Sequence, residues 1–210
     1  MKTVVILGMH RSGTSMVTGV LSNLGVHIGE DLIGKYPSNP LGHFEDRDFV
    51  RLNDQLLKAA GGSWDNPPGQ AAIIKQGERM KKEIQIVINK LLKRELVGWK
   101  DPRTCLTIEL FLAELLNPFF IIVTRNPQEV ALSLQKRNNF TIEKGLQLRA
   151  RYLNSISDFF KKHPTLCRLE LDYRLVKQER EKSVRQIINF LQINPSTVQI
   201  KKAIALIIPE

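Results

Sequence analysis

The chain has little cysteine and no long apolar run. Two of its 210 residues are cysteine, Cys105 and Cys167, and they have neither metal-ligand spacing nor the density of a disulfide framework. We therefore expect reduced thiols. No stretch reaches the roughly 20 apolar residues of a transmembrane helix. The first apolar run is too short and too β-branched for a signal peptide. We expect a cytoplasmic protein without a membrane span.

Acidic residues are also in deficit. The chain has 21 Asp and Glu against 31 Lys and Arg, which gives a formal net charge of +10. This excess favours an anionic ligand, whether a nucleotide, an acidic acceptor or nucleic acid. Because no nucleic-acid recognition motif and no interleaved aromatic residues accompany the charge, we do not expect a nucleic-acid partner. With 42% hydrophobic residues, the composition and length fit a single folded domain over residues 1–210.

The first clear pattern is TVVILGMHRSGTS, residues 3–15. Four apolar residues from Val4 to Leu7 predict a strand that is buried on both faces, and Gly8 ends this run. From Gly13 onward, apolar residues recur at steps of three and four, which predicts a helix. The segment is therefore a strand, a loop and a helix.

The loop has the spacing G-x-x-x-x-G-T-S, against the nucleotide-binding signature G-x-x-x-x-G-K-[ST]. Two glycines let backbone N–H groups surround an anion, and the helix N-terminus adds partial positive charge. Thr14 stands where a nucleoside triphosphate hydrolase has lysine. Arg11 can supply a cation instead, and hydroxyls come from Ser12, Thr14 and Ser15. We interpret this loop as a phosphate cradle; the alternative is an ordinary glycine-rich turn.

Further strands are predicted at residues 96–99, 119–123 and 168–171. Helical periodicity covers residues 49–57, 73–92, 106–116, 127–135, 141–162 and 183–191, whereas the tail from Pro195 has no clear role. The alternation predicts a three-layer α/β/α fold around a parallel sheet of four or five strands. Because ligands bind at the carboxyl ends of such strands, we expect Arg11, Lys100 and Arg125 to converge there.

An arginine followed by Ser-Gly-Thr after an apolar strand resembles the 5′-phosphosulfate loop of sulfotransferases that use 3′-phosphoadenosine 5′-phosphosulfate (PAPS). The resemblance extends from Lys2 to about Leu191. It implies a P-loop-like fold, PAPS as sulfuryl donor, 3′-phosphoadenosine 5′-phosphate (PAP) as product, and no metal. The implied 5′-phosphosulfate ligands lie in one loop: His10, Arg11, Ser12, Gly13, Thr14 and Ser15.

Arg125 and Ser133 resemble the family's 3′-phosphate site, an arginine at a strand end and a serine eight positions later. The alternative is a surface arginine and an unrelated helix serine. Tyr173 resembles a family tyrosine near the last strand that walls the nucleotide, although core packing is an equally good account.

The Lys100-Asp101-Pro102 run is similar to one in tyrosylprotein sulfotransferases, whose lysine is thought to stabilise the leaving phosphate. Lys100 would then act on charge that grows in the transition state; the alternative is a salt bridge to Asp101 or Glu45. For Asp101 itself we expect an orienting or helix-capping role.

The general base is less clearly indicated by the sequence. Glu45 is our first choice, with helix capping as its structural alternative. Glu30 and Asp31 compete, because they lie where the tyrosylprotein enzymes place their glutamate.

The acceptor is not legible in the sequence. Two loops rich in turn formers, residues 25–42 and 61–69, would shape its cleft, the first as a wall and the second as a lid. A carbohydrate, lipid, phenol or peptide hydroxyl fits equally, and the oligomeric state is open. The alternatives to a sulfotransferase are a small-molecule kinase that uses ATP–Mg and a nucleotide-binding protein without catalysis.

Overall fold

The computed structural model describes residues 1–34 and 42–208. Its centre is a parallel sheet of four strands, in the order β2-β1-β3-β4. The strands are β1 (Lys2–Leu7), β2 (Leu96–Lys100), β3 (Pro118–Thr124) and β4 (Arg168–Asp172). The two inner strands, β1 and β3, carry the longest apolar runs and are buried along almost their whole length. Inner strands of a parallel sheet need such sequences, because helices cover both faces.

Ten α-helices lie in the described part of the chain. They are α1 (Thr14–Asn23), α2 (Arg47–Ala59), α3 (Gln70–Arg79), α4 (Lys81–Leu91), α5 (Thr104–Phe111), α6 (Pro127–Asn138), α7 (Ile142–Lys162), α8 (Tyr173–Gln178), α9 (Arg180–Leu191) and α10 (Thr197–Leu206). A single 3₁₀ turn (Leu112–Glu114) follows α5. None of these helices is long and apolar enough to cross a membrane.

The helices form one layer on each face of the sheet. Val5 and Leu7 of β1 pack into a core built with α2 to α7. Their neighbours Val4 and Ile6 point to the opposite face and pack with α1, α9 and the α10 region. This alternation follows from the two-residue repeat of a strand. The three-layer α/β/α fold with a parallel sheet is thus confirmed, with four strands.

Three elements differ from the sequence prediction. The helical pattern over residues 73–92 is two helices, with a break at Met80 (φ −105°, ψ 23°). Helix α8 begins directly after β4, where Asp172 Oδ1 accepts hydrogen bonds from the N–H groups of Arg174 and Leu175. The tail from Pro195 contains α10, which starts at a capping box formed by Ser196 and Gln199.

The strand order determines where a ligand can enter. From β1 the chain crosses to β2 on one side, and later forms β3 on the other side of β1. The loops after β1 and β3 therefore diverge and leave a crevice at the carboxyl ends of the strands, which is where open α/β sheets bind ligands.

Candidate active site

The loop after β1 is a tight turn that ends at the N-terminus of α1. Two of its residues have left-handed backbone conformations, Arg11 (φ 68°) and Gly13 (φ 90°). The N–H of Ser12 donates to Met9 O (3.1 Å), and Gly13 O accepts the N–H of Met16 (3.1 Å). Such a turn directs backbone N–H groups toward one concave side, and the N-terminus of α1 adds partial positive charge there.

Gly13 cannot be replaced without disturbing the loop. A Cβ at this position would collide with the ring of Tyr173, the first residue of α8. A Cβ at Gly8 would lie 2.6 Å from the carbonyl oxygen of Val123 in β3. The loop therefore lies closely against β3 and α8, and both glycines are needed for this approach.

Two arginines and a serine meet beside this loop. Arg11 Nε donates to Ser133 Oγ of α6 (2.8 Å), and Arg125 Nη1 donates to Arg11 O (3.1 Å). Arg125, just after β3, is held by Glu129 (2.7 Å) and lies over the Tyr173 ring, 4.6 Å from its centroid. Burial, and then the charge of Arg125, lower the pKa of Arg11. Two guanidinium groups close together attract anions such as phosphate.

Lys100, the last residue of β2, forms the floor of the site. Its side chain is 1% exposed, and Nζ donates to Glu45 Oε1 (2.6 Å) and Ser15 Oγ (3.2 Å). Burial lowers the pKa of Lys100, against the opposing effect of Glu45. For Glu45, burial alone raises the pKa, but the Lys100 charge and hydrogen bonds from His43 and Lys100 bring it below the usual range. An ion pair in this position keeps both groups charged without water.

The neighbouring acidic residues have other roles. Asp101 accepts from Asn53 Nδ2 (2.8 Å), Arg103 N (3.1 Å) and Arg103 Nη1 (2.9 Å), so its carboxylate serves the start of α5. Asp46, and not Glu45, caps α2 by accepting the N–H of Asp48. The capping alternative for Glu45 is therefore excluded.

Glu30 and Asp31 lie elsewhere. Asp31 pairs with Arg47 (3.2 Å), and Glu30 pairs with His27 (3.3 Å) and Arg94 (3.5 Å). Neither lines the cavity that contains Lys100.

A third group of side chains comes from the loop at residues 61–69 and from the end of α6. The Trp64 ring lies 4.6 Å from that of His10 and under the Arg137 guanidinium, 5.4 Å from its carbon Cζ. His10 is 8% exposed, and its Nε2 atom has no hydrogen-bond partner among the described residues. Burial, and then Arg103 and Arg137, place the pKa of His10 well below its usual value. Its ring is neutral at pH 7.

The loop that carries Trp64 is fixed to α7. Tyr152 Oη donates to Trp64 O (2.8 Å), Arg151 Nη2 donates to Pro68 O (3.0 Å), and Lys144 pairs with Asp65 (3.6 Å). Through Trp64 this loop forms part of the cavity wall, and its expected role as a lid stays a prediction. The loop at residues 25–42 is the one that the sequence predicts as a wall, and its residues 35–41 lie outside the described part of the chain.

These three groups of side chains enclose one cavity of about 510 Å³ at the carboxyl ends of the strands. Its walls include Arg11, Lys100 and Arg125, as we predicted from their positions at the ends of strands. Glu45, Tyr173 and four residues of the loop, His10, Gly13, Thr14 and Ser15, also line it. Ser12 is buried within the loop, and Ser133 reaches the site through Arg11. The sequence prediction missed Arg137 and Asn138, because no motif marks them.

The donor set suits an anionic ligand. Among the described residues, five cationic side chains and one carboxylate line the cavity: Arg11, Lys100, Arg103, Arg125, Arg137 and Glu45. Cationic forks, hydroxyls and a helix N-terminus are the groups that bind phosphate and sulfate esters. Within residues 1–34 and 42–208, no three His, Cys, Asp or Glu side chains are grouped as metal ligands would be.

Comparison with known proteins gives a family. The model of the family described as "Sulfotransferase family" matches residues 3–196. Among solved structures, a sulfotransferase domain from the curacin biosynthetic pathway has a TM-score of 0.58 at 16% identity, over 95% of this chain and 76% of its own.

Two other sulfotransferase structures are similar to the same degree. A domain of the Synechococcus PCC 7002 olefin synthase has a TM-score of 0.59 at 15% identity, over 96% and 77% of the two chains. STF1 of Mycobacterium tuberculosis H37Rv has a TM-score of 0.56 at 12% identity, over 97% and 70%. At these identities the structures support the P-loop-like fold. No curated protein matches by sequence.

Proposed function

The chain belongs to the sulfotransferase family, and from this premise we propose that it transfers the sulfuryl group of PAPS to a hydroxyl of an acceptor and releases PAP. The observation that carries the proposal is that the phosphate loop, Arg125 and the Lys100–Glu45 pair line the same cavity. When bound, PAPS supplies an activated sulfuryl group whose leaving group is a phosphate.

The loop after β1 would bind the 5′-phosphosulfate. Its left-handed residues, Arg11 and Gly13, turn the backbone around the concave side. Thr14 and Ser15 begin α1, so their N–H groups are among the four at a helix start that lack intrahelical partners. Arg11 adds charge, and its hydrogen bond to Ser133 limits the orientations of its guanidinium.

Arg125 and Ser133 would bind the 3′-phosphate. Both contact Arg11, which brings them to the same side of the loop. Glu129 and the Tyr173 ring hold Arg125 from two directions, so its guanidinium loses little freedom when it binds an anion. The Tyr173 ring would then wall the nucleotide.

Lys100 would stabilise the charge that develops on the leaving oxygen. Its ammonium is buried and positioned by Glu45 and Ser15. A fixed positive charge in a site shielded from water stabilises a developing anion more strongly than one in solvent. The salt bridge to Glu45 is the structural alternative for Lys100, and the same contact prepares the ammonium for this role.

Glu45 would accept the proton of the acceptor hydroxyl. Its low pKa makes it a weak base while Lys100 is its partner. An ammonium that turns from Glu45 to the leaving oxygen removes this stabilisation, and burial then raises the pKa of the carboxylate. The base would therefore gain strength when the leaving group gains charge.

A kinase reaction is not favoured. Thr14 occupies the position of the P-loop lysine, and the acidic residue at the end of β2, Asp101, is bound to Asn53 and Arg103. Binding without catalysis is the other alternative, and turnover decides it.

The proposal is tested by incubating the purified chain with PAPS labelled in the sulfuryl group, a mixture of hydroxyl compounds and excess EDTA. We expect labelled ester and PAP in equal amounts. Transfer that requires magnesium and ATP, with PAPS inert, would contradict the proposal.

A further inference from the structure

Arg137 is a cavity-lining cation without a carboxylate partner in the described part of the chain. Its Nε donates to Asn138 Oδ1 (2.6 Å), and its guanidinium lies over Trp64. Two other cations of the cavity wall, Arg103 and Lys100, do have acidic partners. Arg103 pairs with Asp54 (2.6 Å) and Asp101, and Lys100 pairs with Glu45.

The surroundings of Arg137 disfavour its positive charge. Burial, and then repulsion from Arg11, lower the pKa of this guanidinium to about 10. It is still protonated at neutral pH. Glu45 offsets part of this effect from within the same cavity, but no carboxylate in the described part of the chain forms a salt bridge with the half-buried guanidinium. Such a charge gains most from an anion that enters with a ligand.

The hydrogen bonds of Arg137 differ from those of the proposed donor ligands. Arg11, Ser133 and Arg125 are joined to one another, whereas Arg137 donates to Asn138. Ser133 and Arg137 are four residues apart on α6 and therefore lie on one face, about 6 Å apart along the axis. Ser133 contacts Arg11 on the side of the phosphate loop, whereas Arg137 contacts Trp64 beside His10. Arg137 is therefore a cavity cation to which the proposed donor contacts give no role.

We propose that the acceptor carries an anionic group, a carboxylate, phosphate or sulfate ester, that binds Arg137 while its hydroxyl lies near Glu45. This inference rests on the proposed function and names the substrate class for the same site. Asn138 holds the guanidinium, and Trp64 gives an apolar face for the body of the acceptor. Neutral phenols and alcohols lack this contact.

The test is a calorimetric titration of the protein saturated with PAP, with inorganic phosphate as the anionic probe. The variants are Arg137→Gln and, as a matched control, Lys136→Gln, which removes the same charge from the exposed neighbour. We expect wild type and Lys136→Gln to bind phosphate and Arg137→Gln to bind it at least roughly tenfold more weakly, since a charge-assisted contact is lost. PAP affinity is unchanged in all three.

Three results would overturn the inference. The first is that phosphate does not bind the PAP complex. The second is that phosphate binds Arg137→Gln and wild type with equal affinity. The third is that Arg137→Gln lowers the affinity for PAP itself, which would make Arg137 a donor ligand. The complex is prepared by titrating the protein with PAP. If wild type does not bind PAP in that step, the proposed function itself is contradicted.

Turnover gives a second readout with matched acceptors. With PAPS as donor, the rates of sulfuryl transfer to glucose 6-phosphate and to glucuronate are compared with the rate for glucose. We expect the anionic sugars to be preferred by wild type and Lys136→Gln, and the preference to fall at least roughly tenfold in Arg137→Gln. A preference for glucose, or one that Arg137→Gln leaves unchanged, counts against the anionic acceptor.

Discussion

The pair of Lys100 and Glu45 places two opposite charges in the driest part of the cavity wall, with side chains 1% and 9% exposed. Each charge has lost its hydration, and each is compensated by the other. A buried pair of this kind contributes little net stability, but removal of one partner leaves an uncompensated charge. This asymmetry allows the structural and the catalytic role of Lys100 to be separated.

Lys100→Met is expected to lower turnover by about 10²- to 10³-fold and stability by about 3–5 kcal/mol. The double variant Lys100→Met/Glu45→Gln removes both charges, so stability returns while turnover stays low. Urea unfolding and single-turnover rates with PAPS measure the two effects. Recovery of turnover in the double variant would show that Lys100 has no catalytic role.

His10 gives the clearest pH dependence. Its folded pKa lies well below its usual value, because of burial and the charges of Arg103 and Arg137, with Glu45 opposing them. As the pH falls through about 6.5, His10 therefore takes up a proton in the unfolded chain but stays neutral in the folded chain. The His10 contribution to stability is complete above pH 6.5 and is lost as the pH falls below it.

We expect His10→Gln to flatten the fall in unfolding free energy between pH 7 and pH 5, by up to about 1.4 kcal/mol per pH unit. His27→Gln is the control, since His27 is a partly exposed imidazole outside the cavity. Urea unfolding at each pH gives the slopes. An unchanged slope in His10→Gln would mean that His10 is protonated in the folded state.

At the scale of elements, α10 holds the helix that follows the phosphate loop. Leu206 of α10 lies against Gly19 of α1, where an added Cβ would be 3.0 Å from Leu206 Cδ1. Ile207, at the end of α10, is 1% exposed in the core between α1 and the sheet. Through α1, the tail supports the loop that we propose binds PAPS.

Ile207→Ala is therefore expected to destabilise the fold by about 2–4 kcal/mol, the cost of a cavity in a packed core. Val198 lies in the same helix and is 61% exposed, so Val198→Ala should cost less than about 0.5 kcal/mol. Chemical denaturation compares the two. Equal effects would show that α10 does not pack on the sheet core in solution.

The strands could be predicted from their apolar runs. The break between α3 and α4 and the start of α10 were not predicted. The four strands are found within about two residues of the prediction, since apolar runs buried on both faces leave little choice of structure. The break at Met80 has no proline, and neither Met80 nor its immediate neighbours is glycine, so no residue at the break marks it in the sequence. The start of α10 had a legible signal, the serine and glutamine of its capping box, which the prediction did not use.

The site divides in the same way. The phosphate loop and the residues at strand ends could be predicted, because backbone topology alone brings strand ends together. The contact of Ser133 with Arg11, and the position of Arg137 over Trp64, depend on how α6 and the loop at residues 61–69 pack. No spacing in the sequence encodes the distance between two such distant segments.

At the scale of the whole molecule, the net charge of +10 attracts anionic ligands from solution. The five cations that line the cavity in the described part of the chain then contact the bound anion. The approach is screened by salt, whereas buried contacts are screened much less. Binding measurements that are meant to report the contacts therefore need a fixed ionic strength near 0.15 M.

The most direct test of the account is calorimetric titration with PAP, 5′-AMP and ATP–Mg, on wild type, Arg125→Ala and the control Arg168→Ala, whose arginine lies outside the cavity. We expect PAP to bind wild type and Arg168→Ala roughly 10- to 100-fold more tightly than AMP, and Arg125→Ala to lose that preference. Equal affinity of wild type for PAP and AMP, or tighter binding of ATP–Mg than of PAP, would contradict a site built for PAPS.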